Sequence, residues 1–180
     1  KQKGYVVGVN VMQIADRPLD EVERLSSMLA STDIDVLYFA DSMGSLQPND
    51  VSNIIDAIKS GWNGPIGIHA HDSMGLALSN SIEALNDGVS WVDSTVSGMG
   101  RGPGNVHTEL LLIKLADENY DVSSLSSLFS LITRYFDDLK KVYNWGMNPY
   151  YFLAGKYGIH PSYIQEMLSD ARYREEDVLV

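Results

Sequence analysis

Four short runs rich in β-branched and aromatic residues, 5–12, 36–40, 65–71 and 91–96, recur at intervals of about 30 residues, the length of one strand-helix unit. Between them, apolar residues fall at helical spacing: Leu19, Val22, Leu25 and Leu29, then Val51, Ile54, Ile55 and Ile58, then Leu76, Ile82 and Leu85. A strand that returns only after a helix pairs parallel to the strand before it, because antiparallel neighbours need no more than a tight turn. Pro18 and Pro48 stand at predicted first turns, with acidic Asp20, Glu21 and Asp50 beside them, and Gly61 and Gly88 stand where the helices should stop. The expected class is α/β, with a parallel sheet covered by helices.

After Thr108 the pattern becomes helical. Helices are predicted over 110–116, 125–143 and 161–171, with Tyr-rich connections, which divides the chain into a β/α part, 1–119, and a helical C-terminal region, 120–180. A closed (β/α)8 barrel takes about 250 residues. Four units therefore suit either an open doubly wound sheet or part of a barrel, and periodicity does not choose between them.

Composition narrows the partners. The 24 acidic and 13 basic side chains give a net charge of −11, and no run of Lys or Arg offsets it, so nucleic acid and anionic membrane surfaces are excluded as expected partners. With no cysteine, any metal site must use His, Asp, Glu, Asn or carbonyl oxygen. Apolar runs such as 36–40 are far shorter than the roughly 20 residues of a membrane span. Lys1-Gln2-Lys3-Gly4 leads into a strand without a signal-peptide core, and a cytoplasmic location is the expectation.

Ligands of parallel α/β proteins gather at the carboxyl ends of strands. Here those ends are polar: Asn10 and Gln13, then Asp41-Ser42, then His69-Ala70-His71-Asp72, then Asp93-Ser94-Thr95 leading into a glycine-rich loop. His69 and His71, two apart on a strand, project to one side and make either half a metal site or a pair of hydrogen-bonded polar residues. The loop Gly98-Met99-Gly100-Arg101-Gly102-Pro103-Gly104-Asn105 is no dinucleotide fingerprint, since Pro103 stands where the third glycine would be. It is a tight turn, or a site where Asn105 offers a neutral oxygen ligand and Arg101 faces an anionic substrate. Asp41 reads equally as an acid behind the site or as turn chemistry, and Asp93 as a structural hydrogen-bonding residue. Tyr143, Trp145, Tyr150, Tyr151, Phe152 and Tyr157 read as packing, and His107 and His160 as structural.

The run from Ile68 to Ser81, followed by Val92-Asp93-Ser94-Thr95-Val96-Ser97-Gly98-Met99-Gly100 and Gly104-Asn105-Val106-His107-Thr108-Glu109, resembles the DRE-TIM metallolyase superfamily of pyruvate aldolases, hydroxymethylglutaryl-CoA lyases and isopropylmalate synthases. Tyr38-Phe39-Ala40-Asp41-Ser42-Met43-Gly44 further resembles the 4-hydroxy-2-oxovalerate aldolases. The resemblance implies the C-terminal half of a TIM barrel, about strands four to seven, with the first three strands and their Asp-Arg-Glu-type motif outside this sequence. It implies a divalent Mn or Mg ion on His69, His71 and Asn105, and substrate contacts at Gln13, Asp41 and Arg101, and it leaves the catalytic acid-base group unassigned. The implied activity is carbon-carbon lysis or formation through a metal-bound enolate of a 2-oxo acid such as pyruvate.

Departures from the pattern bear on the branch. The lyase branch has a reactive cysteine in the loop that here reads Met99-Gly100-Arg101, which argues against hydroxymethylglutaryl-CoA cleavage. Trp145-Gly146-Met147-Asn148-Pro149-Tyr150-Tyr151 does not resemble the dehydrogenase-contacting region of the catabolic aldolases, and the tail is too short for a synthase regulatory region. The alternatives to the aldolase are a Claisen-type acyltransferase of the isopropylmalate synthase kind and a non-catalytic barrel fragment paired with a partner chain. A homo-oligomer, or pairing with an N-terminal half, is expected.

Overall fold

A computed structural model of the chain describes residues 3–116 and 125–179. Four strands, β1 (Gly8–Val11), β2 (Val36–Asp41), β3 (Ile66–Ala70) and β4 (Trp91–Val92), form one parallel sheet in the order β1-β2-β3-β4. Gly8 lies opposite Val36, Leu37 opposite Ile66 and Gly67 opposite Trp91. The crossovers are α1 (Leu19–Ala30), α2 (Pro48–Gly61) and α3 (Ala77–Asn86), and α4 (Thr108–Ala116) follows β4.

Each crossover helix packs on the next, α1 on α2 and α2 on α3, with α3 meeting α4. Consecutive contact places these helices in one layer on one face of the sheet. A doubly wound sheet reverses its strand order and puts helices on both faces. Strand order that follows the sequence, under a single helical layer, is the winding of a barrel.

The core lies between that layer and the sheet, where Leu37, Phe39, Ile66 and Ile68 pack with Val51, Ile55 and Ile58. Alternate residues turn to the opposite face, so Tyr38 and His69 are only partly buried. The Tyr38 ring lies across Gly67: a Cβ there would come within 2.5 Å of the ring, so glycine is required by contact.

β4 is shorter than the predicted strand at 91–96. Its chain leaves the ladder after Val92, and Thr95 pairs instead with His107. The predicted helix over 125–143 is present and continuous as α5 (Leu125–Leu131), a π-helical turn over Ile132–Phe136, and α6 (Asp137–Tyr143). The predicted boundary at 119/120 lies outside the described residues. α8 (Pro161–Ser169) ends two residues short of its predicted end. Within the Tyr-rich connection lies an unpredicted helix, α7 (Pro149–Lys156), whose first turn is capped by Asn148 Oδ1 accepting from the Tyr151 amide at 2.9 Å.

The helical region is docked on the carboxyl ends of the strands. Trp145 Nε1 donates to the Ser97 carbonyl at 3.0 Å, and the Gly146 amide donates to Gly102 O at 2.9 Å. α7 approaches so closely that a Cβ on Gly155 would lie 2.8 Å from Met74 Cγ and 3.1 Å from Ser73 Cβ.

Candidate metal centre

His69 and His71 emerge from the end of β3 with ring centroids 5.2 Å apart, on one side as strand geometry demands. His71 Nδ1 lies 2.9 Å from the Ser42 carbonyl oxygen, which only accepts, so Nδ1 carries the proton and Nε2 keeps a free lone pair. His69 Nδ1 lies 3.0 Å from Asp93 Oδ2, and the carboxylate fixes the same tautomer there. Burial, opposed by the Ser42 carbonyl, holds His71 below the ordinary imidazole range. A neutral ring with Nδ1 anchored and Nε2 free is the form in which histidine binds a metal.

Asn105 joins them through the backbone, since it forms an antiparallel bridge with His71, while the Asp72 amide donates to Gly104 O at 3.1 Å. Asn105 Nδ2 donates to Met99 O at 3.1 Å, whereas its Oδ1 is buried and has no hydrogen-bond partner. A buried carbonyl oxygen without a donor costs free energy, and a cation repays that cost. His69, Asp93 and Asn105 line one cavity of about 340 Å³, with Val92, Ser94 and Thr95. Two imidazole nitrogens and one neutral oxygen suit a borderline divalent ion such as Mn at least as well as Mg. Among the described residues, no cluster of three His, Asp or Glu side chains supplies a fuller ligand set.

The glycine loop owes its shape to backbone demand. Ser97, Gly98, Gly102 and Gly104 all have positive φ, and a Cβ on Gly104 would lie 2.3 Å from Gly98 O. Glu109 secures the loop from α4: Oε2 accepts from the Ser97 amide and Oε1 lies 3.0 Å from His107 Nδ1. His107 is thus structural, as its sequence context implies.

Asp41, expected to contact substrate, is fully buried, and its oxygens accept from the Ser45 and Leu46 amides at 3.0 and 3.1 Å. Burial pushes its carboxyl up to about 6, against the pull of those amides. Its role is to hold the loop whose Ser42 carbonyl orients His71, which is the turn chemistry that its sequence equally suggested. Gln13 sits in the left-handed region at φ 54°, its amide donating to Ser42 Oγ at 2.9 Å, and its residue lines a cavity of about 590 Å³ with Met43 and His160. Arg101 is exposed and has no ion-pair partner among the described residues. It borders both a seam with His71 and a groove of about 470 Å³ walled by Tyr143, Trp145 and Tyr151.

Two residues that the sequence suggests only as structural stand at the site. Asp93 is half-exposed and reaches back to His69, and it also receives the hydroxyl of Tyr38, which burial and then Asp93 push up to about 12. Its position just after a short strand neighbouring β3 was the available signal. His160 belongs to a helix remote in sequence, and nothing local could place it near His71.

The HMGL-like family profile matches residues 1–132. The 4-hydroxy-2-oxovalerate aldolase of Carboxydothermus hydrogenoformans is 36% identical over 104 residues, which is 58% of this chain and 31% of that protein. The enzyme of the same name from Thermomicrobium roseum is 35% identical over 111 residues, 62% of this chain and 31% of its own length. The matched region thus spans about a third of these curated relatives. Among solved structures, the N-terminal domain of a protein from Bacteroides vulgatus assigned provisionally as an aldolase superposes with a TM-score of 0.82 at 32% identity, over 99% of this chain and 58% of that one. Bacillus subtilis HMG-CoA lyase superposes with a TM-score of 0.69 at 22% identity, over 86% of this chain and 55% of that one, and shares the fold. The architecture is therefore part of a TIM barrel followed by a helical region, and the chain belongs to the HMGL-like family, within the DRE-TIM metallolyase superfamily.

Proposed function

We propose that this chain carries the metal-binding half of the active site of a carbon-carbon lyase of the class II aldolase type, acting on a 2-oxo acid such as pyruvate. The observation that carries the reading is the donor set at the end of β3: two imidazoles with Nδ1 anchored and Nε2 free, beside the unpartnered Oδ1 of Asn105. The names of the curated relatives support it at family level.

His69, His71 and Asn105 would hold a divalent ion, Mn or Mg. When bound, such an ion supplies Lewis acidity toward the carboxylate and carbonyl oxygens of the 2-oxo acid, easing loss of a proton or carbon group from the adjacent carbon. The chain's own residues position and orient. Asp93 and the Ser42 carbonyl hold the two imidazoles in the ligating tautomer, and Asp41 holds the loop that presents Ser42. Gln13 and Arg101 border the cleft as hydrogen-bond donors, and the uncompensated guanidinium of Arg101 suits the far end of an anionic substrate. Val6 ahead of β1 and Trp91 in β4 are exposed at opposite edges of the sheet, which favours further barrel strands or a second chain covering those edges.

The test is direct. Mn binding is measured by electron paramagnetic resonance for the protein and for a His69→Ala, His71→Ala double variant. Release of pyruvate from 4-hydroxy-2-oxovalerate is followed by a coupled reductive assay. Binding lost in the variant, with metal-dependent pyruvate release, supports the lyase. Metal binding with release of free CoA from acetyl-CoA and a 2-oxo acid assigns the acyltransferase instead.

A further inference from the structure

We propose that His160, which opens α8 in the helical region, is a substrate-binding residue of this centre, donating its Nε2 hydrogen to an oxygen of the 2-oxo acid. The inference rests on the reading of the site given above.

The ring's tautomer is set by its own helix. The Ser162 amide donates to His160 Nδ1 at 3.3 Å, so Nδ1 is unprotonated and the neutral ring carries its hydrogen on Nε2. This is the opposite tautomer to His69 and His71. Those two offer free lone pairs, whereas His160 offers a donor, as the oxygens of a carboxylate or carbonyl require.

Its place is between two cavities, one bordered by His71 and Arg101 and the other by Gln13. On one side His160 closes a seam of about 10 Å³ with His71, Arg101 and Gln165, too small for more than a single water. On the other it walls the cavity of about 590 Å³ that Gln13 and Met43 border. Among the described residues of the helical region, only His160 and Ser162 border both cavities.

The ring is carried on a fixed support. Gly158 adopts φ 65° to end α7, the Ile159 amide donates to Ala154 O at 2.8 Å, and buried Pro161 starts α8. α7 is itself pressed onto the Gly44 and Ser73 loops. Folding thus brings an imidazole from about 90 residues downstream to the end of β3, rigidly enough to serve as a preorganised donor.

A plain helix cap is the competing explanation, and it is separable. Asn and Ser cap helices about as well as any residue, so His160→Asn and His160→Ser keep the cap while removing the imidazole donor. Calorimetric titration with Mn, and then of the Mn-loaded protein with oxalate, a planar dianion shaped like the enolate of pyruvate, reads the two functions apart. Expected are an unchanged melting temperature, Mn affinity within twofold, and oxalate affinity lowered about tenfold in both variants, the size of a hydrogen bond to a charged group. Equal oxalate affinity in the protein and either folded variant, or no oxalate binding by the Mn-loaded protein, overturns the assignment of His160 and leaves the metal centre standing. Failure of the unaltered protein to bind Mn overturns both.

Discussion

Replacement of Asp93 by Asn isolates the support that one ligand receives from outside the ligand set. Asp93 Oδ2 lies 3.0 Å from His69 Nδ1, so the carboxylate both fixes the tautomer and makes the ring a better electron donor. Loss of such a partner costs about 10- to 100-fold in metal affinity. His69 and Asp93 are 28% and 47% exposed, so water screens the pair, and the expected loss is at the lower end, about tenfold or about 1.4 kcal/mol. His71 leans on the Ser42 carbonyl instead and is untouched by the change, so binding weakens without vanishing. The assay is calorimetric Mn titration at neutral pH. Because the chain carries a net charge of −11, removal of any carboxylate reduces general attraction for a cation, and Asp56→Asn on the exposed face of α2 supplies that baseline. A loss in Asp93→Asn no greater than in Asp56→Asn would refute the claim that Asp93 orients His69.

Three further outcomes follow from the same geometry. Asp41 titrates at about 6 in the fold against an ordinary 3.8, so the folded state holds its proton more tightly; the stabilisation is complete below pH 3.8 and is lost as pH rises through 6, about 3 kcal/mol in all. Urea unfolding between pH 4 and 7 should show that decline in the protein and a flatter profile in Asp41→Asn, and parallel profiles would contradict it. Phe39→Ala empties a fully buried position of the sheet-helix core and should cost about 3–5 kcal/mol of unfolding free energy; a loss under about 1 kcal/mol would show that the core is not where the structure puts it. Gly104→Ala forces a side chain at φ 80° against Gly98 O, so the melting temperature and Mn affinity should fall together, and an unmoved Mn affinity would uncouple the loop from the site.

Much of this architecture is written in local pattern. The spacing of Val22, Leu25 and Leu29, or of Val51, Ile54 and Ile58, follows the helical period, and the segments 36–40 and 65–71 are β-branched and aromatic enough to be strands, so element type needed no tertiary information. The 91–96 segment reads as a longer strand than the two residues that pair: the Asp93 amide still donates to Ile68 O at 3.0 Å, but beyond it Thr95 turns to pair with His107, a partner that lies further along the chain. α7 hides among aromatic residues whose apolar character runs round the helix, so periodicity is silent there. Its Asn148-Pro149 start and Gly158 stop were the remaining marks.

By itself the sequence determined the parallel α/β class and the pairing of His69 with His71 on one side of a strand, because strand alternation and helical period are properties of neighbours. Tertiary structure decided the rest. The single helical layer settled barrel winding over the doubly wound sheet, since that choice depends on which face each crossover takes, and the local pattern is the same for both. It also buried Asp41 under the Ser45 and Leu46 amides, and brought Asp93 to His69 and His160 to a seam with His71. A side chain's partner there is set by the closure of segments far apart in sequence, and hydrophobic patterning records how much of a residue is buried, but not against what.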